Sequence, residues 1–210
     1  MTNLSRRFGE LLRRLGAAGD PQPIANAVLA AWAEPDRRYH DLDHLRDCLA
    51  ELDRAPADGA DRDRVEAALW FHDAIYDPRA DDNEARSAEW ARRALAELGV
   101  PYAVADDVAR LVGLTRHTGP ALDPSGRLLC DIDLAILGRE PEAFDAYDRR
   151  IREEYAWVPE PDFRAARIGV LTGLLARGRL YQTEHFRRRY ETVARTNLGR
   201  VLERLRHGPT

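Results

Sequence analysis

Apolar residues recur along this chain at intervals of three and four, and no stretch alternates with the two-residue rhythm of a strand. That single pattern restricts the fold to helices packed on helices, and the punctuation between segments fits it. Residues 3–15 carry Leu4, Phe8, Leu11, Leu12 and Leu15 and end at Gly16 and Gly19. Asp20-Pro21 opens a second helix to about Ala33, with proline tolerated in its first turn. Asp41 can cap a third to about Arg54, whose buried stripe is Leu45, Cys48, Leu49 and Leu52. Further helices are expected over 84–98, from Pro101 to about Thr115, from Pro141 through Trp157, around Phe163–Leu174, and from Thr183 to about Leu205. Phe163, Val170, Leu171 and Leu174 are expected inward, as are Phe186, Tyr190, Val193, Asn197, Val201 and Leu205.

The chain has 210 residues, 44 % of them hydrophobic, which suits one sizeable core and a single domain. No apolar run reaches the length of a membrane span, and residues 1–15 carry charges where a signal peptide needs an apolar centre. Cys48 and Cys130 form no metal-type spacing, so a reducing cytoplasm is the expected compartment. Every basic residue other than histidine is arginine. Residues 1–138 hold 17 arginines against 25 acids, a net of −8, whereas 139–210 hold 15 against 11, a net of +4. An acidic part suited to cations beside a basic part suited to phosphate fits a metal-dependent phosphohydrolase, and it equally fits chance. The overall charge of −4 argues against nucleic acid as the main partner, and no membrane partner is expected.

Within this helical frame, polar groups stand where core residues belong. Counted from Val65, the positions Leu69, His72, Asp73 and Tyr76 fall on one helical face. An inward histidine and aspartate are costly unless satisfied, and adjacent imidazole and carboxylate suit a divalent cation. A core histidine bonded to its neighbour is the plainer alternative. His44 lies one turn before Cys48 at the edge of its stripe, and His40 one turn earlier, at the helix entrance. His117 stands at a helix end, where it serves either a site or the helix dipole. In the apolar run 128–138, Asp131 reads as the cap of a short helix ended by Gly138. Asp133 is either on the exposed side of that helix or held inward by a cation. Arg167 falls in an apolar stripe, where it needs an acidic partner or an anion.

Three blocks in order, Tyr39–His44 (Tyr-His-x-x-x-His), Phe71–Tyr76 (Phe-His-Asp-x-x-Tyr) and Asp131–Gly138 (Asp-x-Asp-Leu-Ala-Ile-Leu-Gly), resemble the HD superfamily of metal-dependent phosphohydrolases. With the later 152–155 and 181–183 stretches the resemblance covers most of the chain. It implies a compact all-α bundle of the HD type, with a metal-site core over about 37–140 and C-terminal helices over 141–206 packed on it. The ligands it implies are His44, His72, Asp73 and Asp133, with His44 favoured over His40 by Cys48 four positions on, and Asp133 favoured over Asp131. His40 and His117 are candidates for a second ion or for phosphate contacts.

Mixed imidazole and carboxylate ligation suits Mn, Fe, Co, Ni or Zn better than Ca. The expected activity is hydrolysis of a phosphoester or pyrophosphate bond in a small nucleotide-like substrate, Asp73 orienting the water and Arg167, then Arg152, meeting the phosphate. For each arginine an internal salt bridge is the alternative. Two other readings share the scaffold: a di-iron oxygenase bridged by Asp73, and a nucleotide-binding regulatory protein that turns nothing over.

Overall fold

The computed structural model describes residues 3–56 and 58–207, and among them it contains ten α-helices, one 3₁₀ segment and no strand. The chain is all-α, as its periodicity requires. Two compact units divide it, residues 1–130 and 131–210, with the division falling inside one helix. No helix of the described residues is long and apolar enough to cross a membrane.

The first unit contains α1 (Asn3–Arg14), α2 (Gln22–Trp32), α3 (Leu42–Arg54), α4 (Arg62–Phe71), α5 (Asn83–Glu97), α6 (Tyr102–Leu114) and most of α7 (Pro124–Asp133). At its centre is α4, which packs against α1, α3, α5 and α6. From Val65 to Phe71 every residue of α4 is buried, the pattern of a helix surrounded by others rather than one facing water. Phe8 of α1 stacks on Trp70 with ring centroids 4.5 Å apart and meets Phe71 edge-on. Full burial of aromatic side chains of this size stabilises the unit by about 2–3 kcal/mol each. Arg7 bridges the same helices at their rim, donating to Asp53 of α3 and Glu66 of α4.

The expected helix through Tyr76 is cut short. Regular α4 ends at Phe71; the His72 N–H still reaches the Ala68 carbonyl, but Ala74 bonds back only three residues, to Phe71. The carbonyls of Asp73 and Ala74 leave the helical ladder and accept instead from Arg37, a partner 36 and 37 residues away. A long-range donor overrides the local period, and His72 and Asp73 therefore stand on a turn rather than on a continuous helical face.

In the second unit, a 3₁₀ segment (Leu134–Gly138) leads to α8 (Pro141–Glu154), α9 (Glu160–Ala176) and α10 (Glu184–His207). The 3₁₀ segment and α9 both pack on α10. Gly138 is required by close approach: a Cβ there would stand 2.4 Å from Cβ and 2.9 Å from Cα of Tyr190. Asn197 ties the same corner by donating to the carbonyls of Leu137 and Arg139. Two expectations change here. In α9 only Arg167 and Leu171 are buried, and Val170 is 54 % exposed, because the helix meets its unit along one narrow edge. In α10 the inward stripe runs through Ala194, Leu198 and Leu202 rather than Val193 and Leu205.

Candidate metal centre

Each ligand-bearing segment is set by a local rule. Asp41 precedes α3 in extended conformation and accepts from the N–H groups of Asp43 and His44, which fixes where the helix starts. His44 therefore occupies the first turn of α3 and, at 5 % exposure, faces inward. His72 follows α4 directly, and its ring Nδ1 lies 2.9 Å from the Leu69 carbonyl oxygen. A carbonyl only accepts, so this contact assigns the proton to Nδ1 and leaves the lone pair of the neutral ring on Nε2. A bond from the far ring nitrogen to a fixed carbonyl orients an imidazole for metal binding.

The consequence is a convergence of three potential ligand atoms. His72 Nε2 lies 3.2 Å from His44 Nε2 and 3.1 Å from Asp73 Oδ2, and His44 Nε2 is 3.8 Å from the same oxygen. A circle through these three atoms has a radius of about 2.0 Å, the length of a bond from a first-row divalent ion to imidazole nitrogen or carboxylate oxygen. The donor set thus fits the group that the sequence motif implies. A single bridging proton would satisfy one pair of these atoms; a cation satisfies all three. Side-chain exposure rises from 1 % at His72 and 4 % at His44 to 14 % at Asp73, so the cluster opens to water on its carboxylate side.

Trp32 forms the inner wall, its indole N–H donating to the Trp70 carbonyl and its ring centroid 5.3 Å from that of His72. Cys48 was not expected at the site, yet its sulfur joins His44 and His72 in a group of donor atoms within 4.8 Å of one another. Its Sγ is 3.7 Å from Nε2 and 3.9 Å from Nδ1 of His44. An atom sharing an ion with Nε2 would lie about 5 Å from Nδ1, across the ring, so Cys48 packs over the imidazole rather than along its lone pair. The i, i+4 spacing to His44 was the available signal.

The other expected residues are distributed as follows. His40 lies in the turn before α3, its ring stacked on Tyr76 at 4.1 Å and edge-on to His44 at 5.9 Å. His117 follows α6 with φ at +54°, its N–H bonded to the Leu114 carbonyl. Asp133 is the last residue of α7 and belongs to the second unit. There, Arg167 donates Nε and Nη2 to one oxygen of Asp148, at 3.1 and 2.9 Å, with its guanidinium over the Tyr147 ring. Arg152 pairs with Glu160 and donates to the carbonyls of Tyr155 and Val158.

Asp131 corrects its expected role. It sits inside α7, fully buried, and accepts from the N–H groups of Gln182 and Thr183 and from the Thr183 hydroxyl at 2.7–2.8 Å. It caps the entrance to α10 rather than a helix of its own. Burial pushes its carboxyl up to about 6 despite these three donors, and burial also raises the neighbouring Tyr181 phenol.

Comparison with protein-family models, curated proteins and solved structures found no match for this chain. Fold and site together define an all-helical protein with a buried histidine-rich cluster that could hold a metal ion.

Proposed function

We propose that this chain is a metal-dependent phosphohydrolase of the HD type, acting on a phosphoester or pyrophosphate bond of a small nucleotide-like substrate. The observation that carries the reading is the triangle of His44 Nε2, His72 Nε2 and Asp73 Oδ2, whose dimensions suit one transition-metal ion. Asp133 enters as the fourth ligand on the strength of the sequence motif. When bound, such an ion brings the pKa of its water toward neutrality and polarises a phosphoryl oxygen.

The chain's own residues do the rest. His72, held through Nδ1 by the Leu69 carbonyl, keeps Nε2 aimed at the ion. Asp73 stands on the water-facing side, where its carboxylate orients the attacking water and accepts its proton. Substrate approaches across this face, since the histidine side is closed by Trp32 and α4. Arg167 and Arg152, proposed from the sequence to meet the phosphate, are each engaged by an acid within their own unit, and a phosphate role requires exchange of those partners.

The test is release of phosphate or of p-nitrophenol from p-nitrophenyl phosphate, bis-p-nitrophenyl phosphate and a panel of nucleotides, with Mn²⁺- or Co²⁺-loaded protein. Turnover by the loaded protein, reduced at least about 10³-fold in Asp73→Asn, supports the reading. Full metal occupancy with no release from any of these compounds would sink it and leave a metal-holding regulatory protein.

A further inference from the structure

The chain buries an arginine that lies just outside the first motif block, two residues before Tyr39. Arg37 lies in the connection between α2 and α3, and its side chain is 3 % exposed. A buried guanidinium is costly to desolvate and needs compensating acceptors. Its ion-pair partner, Glu34, is 54 % exposed at 3.1 Å and offers little of that compensation. The main acceptors are backbone carbonyls: Nη1 donates to His40 at 3.0 Å and to Asp73 at 2.5 Å, and Nη2 donates to Ala74 at 3.0 Å. The rings of Trp32 and Tyr76 stand 5.7 and 5.8 Å from the guanidinium carbon.

These carbonyls are not a random set. Two belong to the turn that presents His72 and Asp73, and the third belongs to the turn that enters α3 just before His44. One rigid planar group thus ties together the two segments that bring the three ligand atoms to a point. The geometry points to Arg37 as the positioning residue of the metal centre: it sets the registry between His44 and the His72–Asp73 turn without touching the ion. Lysine cannot substitute fully, because an ammonium is a point donor and lacks the fixed fork that spans carbonyls on two segments. This inference rests on His44, His72 and Asp73 being metal ligands.

The experiment titrates Co²⁺ against a chromophoric chelator into the wild type, Arg37→Ala, Arg37→Lys, Glu34→Ala and His72→Ala, each checked for helix content by circular dichroism. Arg37→Ala is expected to weaken Co²⁺ binding about 10–100-fold and to alter the visible cobalt band while keeping its helices. Arg37→Lys should recover only part of the affinity, and Glu34→Ala should bind as the wild type does. Arg37→Ala that binds Co²⁺ within twofold of the wild type, with an unaltered band, overturns the inference whatever its melting temperature. Should Arg37→Ala fail to fold, Arg37→Lys decides by the same two readouts. Loss of binding in His72→Ala but not in the Arg37 variants isolates the failure to this inference. A wild type that binds no Co²⁺ overturns the metal reading and this inference with it.

Discussion

One polar cluster in each unit illustrates a different way of burying polar groups. In the second, Asp131 is met by two backbone N–H groups and a hydroxyl, and the half-buried Asp148 by Arg167 and by Arg204 at 2.8 Å. In the first, the imidazole of His72 donates through Nδ1 to the Leu69 carbonyl, while its Nε2 lone pair faces His44 Nε2 and the Asp73 carboxylate. The second unit's cluster is a closed network of donors and acceptors, and the first unit's is a convergence of nitrogen and oxygen ligand atoms of the kind that suits a cation. The same cost of burying polar groups yields a structural knot in one unit and a candidate reactive centre in the other.

This contrast is most sharply broken at His72. Replacing His72 or Asp73 with alanine should remove the ion altogether, read by elemental analysis of protein purified without a metal-affinity tag, with helix content unchanged by circular dichroism. Stoichiometric metal in both variants would make the first unit's cluster as self-contained as the second's. Arg167→Ala should act in the other direction. It leaves Asp148 with Arg204 alone, and a loss of about 2 kcal/mol in urea unfolding is expected, with metal retention unchanged. A raised Michaelis constant with undiminished stability would instead return Arg167 to phosphate binding.

The smallest effect is a slope with pH. Asp131 has its carboxyl pushed up to about 6 by burial, against an ordinary value of 3.8. The unfolded chain therefore releases this proton first as pH rises. The group's stabilising contribution is fully present below about pH 4 and is lost as pH rises through about 6. Compared with Asp131→Asn, in the presence of a chelator, the wild type should lose stability across that window. A wild type that gains stability there would show that the three donors outweigh burial and hold the carboxylate ionised.

What the sequence discloses follows the range of the interactions involved. The start of α3 was legible because Asp41 bonds to N–H groups two and three residues away. The burial of Arg167 was legible from its place in a stripe, but its partner Asp148, nineteen residues earlier, was not. His72 and Asp73 were identifiable as inward polar residues, whereas the turn that carries them depends on Arg37, and no periodicity encodes a bond to a carbonyl 36 residues away. Asp131 was misread for the same reason. Its acceptor role near a helix end was visible, but the helix it caps begins some fifty residues later.

Trp32 adds an optical consequence to its packing role. Its indole lies 5.3 Å from the His72 ring and 6.2 Å from the His44 ring, and it is fully buried with its N–H fixed on the Trp70 carbonyl. Co²⁺ bound at that range is expected to quench this rigid fluorophore. Occupancy of the centre is thereby legible in the protein's own emission, with no label added and no ligand altered.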